Sequence, residues 1–141
     1  MNKFKCIIFQ DIVAPYKTLL FNALEKCIGG EFKVLHLCKT DRIREWKVVA
    51  SELKFPFEVI FECKKDGVNT VKLAIGTFRR LNYYNPQVII IEGYNSLACW
   101  AALVWGKIRK RKVMVIIESH YLDKGRTRVK EKIKKREYWK Y

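Results

Sequence analysis

A doubly wound α/β domain on a mostly parallel five-stranded sheet is what this sequence predicts, and three observations predict it. The stretch Pro86-Gln87-Val88-Ile89-Ile90-Ile91-Glu92-Gly93 holds a short apolar run closed by Gly, the pattern of a strand buried on both faces of a parallel sheet. Ser96 then offers a cap to a helix over 97–110, and a second β-rich run over 112–117 follows, which completes a strand, helix, strand unit. The same alternation recurs upstream, and right-handed crossovers leave few topologies for such a chain. Both strands of the unit bring a Glu and small or polar residues, Glu92-Gly93 and Glu118-Ser119, to one carboxyl edge, where ligands of open α/β sheets bind.

Taken in order, residues 5–9 predict the first strand, and Gln10 to Ala14 joins it to a helix that Pro15 opens without losing a needed hydrogen bond. Tyr16, Leu19, Leu20, Ala23, Leu24 and Cys27 recur at helical spacing as one apolar stripe, ended by Gly29-Gly30. Residues 32–38 read as the second strand. Residues 55–61 read as the third, with Pro56 near its start placing it at the edge of the sheet. Asp66-Gly67 turns the chain into a helix marked by Val71, Ala74, Ile75, Phe78 and Leu81, which leads back to Pro86. The end of the chain, 126–141, is helix-compatible, with Val129 and Ile133 as sparse apolar points.

The 141 residues make one domain's worth of sequence, and 50% hydrophobic content suffices to bury a core. Charge is uneven: residues 1–106 carry 15 basic and 10 acidic side chains, whereas 107–141 carry 14 basic and 4 acidic. That concentration implies an anionic partner or surface, or else a solvated helix face. The five cysteines lack any C-x-x-C spacing and read as buried reduced thiols of a cytoplasmic protein. His36 and Cys38 share a strand face, but two ligands without a second pair make a poor metal site, so His36 reads as a core residue. No metal or cofactor is expected. The longest apolar run, 97–105, falls far below the ~20 residues that span a bilayer, and the N-terminal apolar run is too short for a secretory signal.

The loop after the first strand lacks G-x-G-x-x-G, no P-loop occurs, and no G-x-S-x-G elbow frames a serine. Usual dinucleotide binding, P-loop hydrolysis and α/β-hydrolase chemistry thereby lose support. What remains are three carboxyl-edge loops. Several of their residues, with others along the chain, carry a resemblance: Pro15-Tyr16 followed by Leu20-Phe21-Asn22-Ala23-Leu24, the Arg44-x-Trp46 pair, the Pro86-x-Val88-Ile89-Ile90 strand running into Gly93-Tyr94, and Glu118-Ser119 followed by Asp123, Arg126 or Arg128 and a Lys-rich helix. In this order and spacing the chain resembles the N-terminal, acceptor-side domain of family 4-like GT-B glycosyltransferases, over nearly its whole length.

The resemblance implies a Rossmann-like half of a GT-B fold and a retaining transfer of sugar from a nucleotide donor to a glycan or lipid-linked acceptor in surface polysaccharide synthesis. It implies one domain over 1–141 with a basic helical end at 125–141. The donor-binding domain is expected to be absent, supplied by a further stretch or a partner chain, so that this chain alone is inactive. His120 stands where related enzymes place a polar residue near the transferred sugar and is the candidate catalytic residue; a loop histidine without a role is the competing reading. Acceptor contacts are expected from Asp11, Pro15, Tyr16, Gly93, Tyr94, Glu118 and Ser119, although Glu118 equally suits a salt bridge to Arg126 or Arg128 and Gly93 a simple turn. Asp11 would repel a phosphate, which favours a hydroxyl-bearing acceptor.

Trp100 and Trp105 read as core, with an interface as the alternative. Arg126, Arg128, Lys130, Lys134 and Lys135 are candidates for an anionic membrane or anion contact at the inner face of the cell membrane. Two other classes stand beside the enzyme reading: a non-catalytic basic module gripping nucleic acid or anionic membrane, and a subunit of a two-chain transferase. Nucleic acid is disfavoured because Tyr138, Trp139 and Tyr141 are the only aromatics grouped with the basic cluster.

Overall fold

The computed structural model describes residues 4–42 and 49–117. Arg44, Trp46 and everything expected of 118–141, including the basic helical end, lie outside the described residues. Among the described residues five strands and three α-helices alternate: β1 (Cys6–Ile12), α1 (Pro15–Ile28), β2 (Phe32–Thr40), β3 (Phe57–Lys64), α2 (Thr70–Tyr84), β4 (Val88–Glu92), α3 (Leu97–Ile108) and β5 (Lys112–Ile116). All neighbouring strands pair in parallel, in the order β3-β2-β1-β4-β5, so the fold is the expected doubly wound α/β domain. β3 is an edge strand, as Pro56 suggests, and Pro56 still contributes its carbonyl to the Val34 N–H at 2.9 Å.

Right-handed crossovers place α1 on one face and α2 with α3 on the other. The larger core lies under α2 and α3, where Ile7, Phe9, Leu35, Leu37, Ile89 and Ile91 meet Leu73, Leu81, Ala102 and Trp105. The smaller core lies under α1, where Phe21 meets Ile8, Phe32, Val34 and Phe55. Trp105 is fully buried and donates from Nε1 to Asn82 Oδ1 at 2.8 Å, which ties α3 to α2 and satisfies the indole. Among the described residues α1 alone covers its face, and β4 is fully buried on one side and half-buried on the other, where two-sided burial was expected.

Each helix buries only part of its expected apolar stripe: Leu24 packs against the smaller core and Leu81 is fully buried, but several of the other stripe residues face outward. On α1, Tyr16, Leu19 and Leu20 are 59%, 76% and 60% exposed, and Lys17, Thr18 and Phe21 face the sheet instead. The sheet face accepts one ring at the junction of β1, β2 and residue 55; Phe21 fills it, edge to face with Phe55 at 5.2 Å, and this sets the helix phase. On α2, Leu73, Thr77 and Leu81 go inward while Val71 and Ile75 face solvent. Thr77 tolerates burial because its hydroxyl donates to Leu73 O at 2.9 Å. The cysteines divide as well: Cys38 and Cys99 are buried, but Cys27 rides the outward side of α1 and Cys63 the exposed end of β3, contrary to expectation.

Among the described residues no helix is long and apolar enough to cross a membrane. α3 lies close on the sheet at Gly106, where an added Cβ would stand 2.3 Å from Val113 Cγ2. Gly106→Ala should therefore lower stability by about 1–2 kcal/mol, overpacking outweighing the gain in helix propensity. Urea midpoints read this directly, with Gly67→Ala, where a Cβ meets nothing within 4 Å, shifting by less than about 0.5 kcal/mol.

Candidate functional site

β1 sits between β2, reached through α1 on one face, and β4, reached through α2 on the other. The chain leaves the carboxyl ends of β1 and β4 in opposite directions, and a crevice opens between the two departing loops. It is a cleft of about 270 Å³, lined by Gln10, Asp11 and Ile12 from β1, Ala14, Tyr16 and Lys17 at the start of α1, Glu92 to Asn95 after β4, and Ile116 and Ile117 at the end of β5.

Each element brings its residue for a local reason. The strand β1 runs on to Ile12, past the expected end at Phe9, because Gln10 and Ile12 still pair with His36 and Cys38 of β2. Pro15 opens α1 as expected, and Ala14 at its N-cap supplies only a carbonyl, to Lys17 N at 3.0 Å. Gly93 has φ of +77°, the left-handed conformation that a glycine adopts without strain, and its N–H binds Ile116 O at 2.9 Å to hold the β4 loop against β5. Ser96 caps α3 by accepting from Cys99 N at 3.2 Å, as expected.

Charge at the cleft is balanced. Lys17 Nζ donates to Glu92 Oε2, with side-chain exposures of 9% and 18%, and Lys65 Nζ donates to Asp11 Oδ2. Ser96 Oγ adds a longer contact to Asp11 Oδ1 at 3.4 Å. With each carboxylate matched by a lysine, the described residues of the walls offer hydrogen-bonding groups without a net charge among themselves, an arrangement suited to a neutral polyhydroxyl ligand better than to a phosphate.

Of the expected acceptor residues, Asp11, Tyr16, Gly93 and Tyr94 meet in this one cleft; Pro15 stands behind them as the exposed first residue of α1. Glu118, Ser119 and His120 lie outside the described residues, as do Arg126, Arg128, Lys130, Lys134 and Lys135. Lys17, Gln10 and Lys65 were not anticipated. The available signal was the spacing of Lys17, Thr18 and Phe21, a helix face on which a lysine heads the buried side.

Beneath the cleft His36 is 1% exposed and is a core residue. Its Nδ1 lies 3.2 Å from Ile12 O, and since a carbonyl only accepts, Nδ1 carries the proton. Burial pushes its pKa down to about 4, the Ile12 hydrogen bond working weakly the other way. Burial also pushes the Cys6 and Cys38 thiols up, to about 11 and about 12, and raises Cys99, so none of the three is a ready thiolate nucleophile. Among the described residues no group of three His, Cys, Asp or Glu side chains is placed to hold a metal ion.

No family model matches the chain, and no curated protein does. Among solved structures, a Listeria monocytogenes protein described as a UDP-N-acetylglucosamine 2-epimerase superposes with a TM-score of 0.50 at 15% identity, over 80% of this chain and 31% of that one. The likeness is one of fold. It supports a GT-B-like Rossmann domain, and the 31% coverage means that this chain spans about a third of the epimerase's length. The structure of S. aureus MnaA with UDP is similar at a TM-score of 0.49 and 14% identity, over 80% of this chain and 29% of that one.

The depressed His36 pKa makes stability pH-dependent with a definite sign. Protonation favours the unfolded chain, where the pKa is near 6.5, so the contribution is complete above that value and is lost as pH falls from 6.5 toward about 4. The full loss is about 3 kcal/mol. Urea midpoints of wild type and His36→Asn between pH 7 and 5, above most carboxylate titrations, should show the wild-type slope and little slope in the variant.

Proposed function

We propose that this chain is the acceptor-binding half of a retaining, nucleotide-sugar-dependent glycosyltransferase of the family 4-like GT-B kind, and that the cleft at the β1/β4 switch point holds a saccharide hydroxyl face of a glycan or lipid-linked acceptor. The observation that carries the reading is the pairing of charge in the cleft, in which Asp11–Lys65 and Lys17–Glu92 leave hydrogen-bonding walls with no surplus charge among the described residues, beside Tyr16 and Tyr94. The fold supports it, since the solved Rossmann domain it resembles belongs to a protein described as acting on a UDP-sugar. On this reading His120, Glu118 and Ser119, which lie outside the described residues, contribute to the same site, and a second domain supplies the donor contacts.

The chain 1–141 should bind a methyl hexoside weakly, with Kd on the order of millimolar, and release no UDP from UDP-sugars. Saturation-transfer NMR and chromatography of UDP measure the two. Gly93→Val, which forces a branched side chain to a φ of +77°, should weaken binding several-fold with the circular dichroism spectrum unchanged. Turnover of a nucleotide sugar by this chain, or the absence of any hexoside contact, would overturn the reading.

The charge asymmetry favours a second, compatible reading, in which the basic residues of 107–141, among them Arg126, Arg128, Lys130, Lys134 and Lys135, rest on an anionic membrane. Each lysine or arginine at such a surface contributes about 1 kcal/mol. Co-sedimentation should then favour anionic over neutral vesicles and weaken as salt rises; equal indifference to both vesicles, or preference for an oligonucleotide at the same ionic strength, would count against it.

A further inference from the structure

We propose that Gln10 and His36 form a polar slot at the inner end of the cleft that takes one O–H group, Gln10 Nε2 donating to its oxygen and the hydroxyl donating in turn to His36 Nε2. The inference rests on the saccharide reading above and narrows it to one hydroxyl at one place.

The two residues face each other across the ladder, since Gln10 of β1 pairs with His36 of β2. Both point to the α1 side of the sheet, His36 packing its ring 6.4 Å from Phe57 in the smaller core, and Gln10 contributes to the wall of the cleft. They are 2% and 1% exposed, and among the described residues neither Gln10 Nε2 nor His36 Nε2 has a hydrogen-bond partner. Two buried, unpaired polar atoms on adjacent strands are costly to leave so, about 1–3 kcal/mol each.

The chemistry of the slot follows from the tautomer. Because His36 Nδ1 donates to Ile12 O, Nε2 of the neutral ring is a bare acceptor, whereas Gln10 Nε2 is a donor. A group that satisfies both must accept and donate at once, as a hydroxyl does. A carboxylate oxygen would answer Gln10 but set its lone pairs against those of Nε2; an inorganic phosphate keeps an O–H to donate but would have to bury its net charge; an ammonium has no lone pair for Gln10. The O–H group has two sources, a saccharide hydroxyl entering from the cleft or a resident water, and the assignment is to the saccharide.

NMR on the ¹⁵N-labelled chain 1–141 tests it, following the Gln10 side-chain amide, the His36 ring nitrogens and the backbone amides of Gly93 and Tyr94 during titration with the methyl glycosides of glucose, galactose and mannose, and separately with inorganic phosphate. At least one glycoside should move the Gln10 amide and His36 Nε2 with the same Kd as Gly93 and Tyr94, phosphate should move neither, and Gln10→Leu should weaken that glycoside about fivefold to tenfold. Shifts at Gly93 and Tyr94 with Gln10 and His36 unmoved would overturn the slot and leave the cleft reading standing. If neither set moves, the saccharide reading fails and the slot with it. A cross-peak from Gln10 to a bound water that persists when the glycoside is bound would assign the slot to water and overturn the proposal, as would a phosphate response equal to the saccharide's.

Discussion

The ion pair between Lys17 and Glu92 spans the switch point on which the rest of this structure turns. Lys17 belongs to the first turn of α1, which leaves β1 on one face; Glu92 ends β4, which the chain reaches from the opposite face. Nothing in the backbone joins these two departures, and the pair closes them across the top of β1. The Asp11–Lys65 pair does the same between β1 and the turn after β3, and Ser96 links that carboxylate to the cap of α3. Pairs this sheltered lose much of their Coulomb attraction to desolvation, so their contribution is chiefly to fix loop positions rather than to raise stability.

The same pairing explains why α1 turns much of its apolar stripe outward. With Lys17 drawn to Glu92 and Phe21 seated against Phe55, the helix has no freedom left to bury Tyr16, Leu19 and Leu20, and the apolar side of α1 faces solvent next to the cleft. At the amino edge a second polar network does comparable positional duty. Lys33 donates to Tyr84 OH at 2.7 Å, Tyr84 donates to Glu58 at 2.5 Å, and Arg80 pairs with Glu58 at 2.7 Å, which fastens the end of α2 over β2 and β3. Buried side-chain atoms without a partner occur toward both ends of the sheet, Glu25 Oε2 and Arg111 Nε toward the amino end and Gln10 Nε2 and His36 Nε2 toward the carboxyl end, but of these residues only Gln10 lines the open cleft.

A network whose donors and acceptors are all matched has little to offer a ligand; buried polar atoms left unmatched at a switch point do. Burial holds the Cys38 and Cys99 thiols protonated, so neither brings a ready thiolate to this edge.

Much of the architecture was legible in the residues. Alternating short apolar runs and helical patterns determined a parallel doubly wound sheet, Pro56 marked its edge strand, Pro15 and Ser96 marked helix starts, and the first-strand and Gly93-Tyr94 loops marked the edge that carries the cleft. These are local signals, set by backbone dihedrals, capping and period, and they survive in one dimension. What only the tertiary structure decided was helix phase and partnership: that Phe21 rather than Leu20 enters the core, that Lys17 meets Glu92 across 75 positions of sequence, and that Gln10 and His36 lie side by side. Each depends on which ring or charge wins a shared place on the sheet, a competition between residues far apart in the chain, and periodicity carries no record of it.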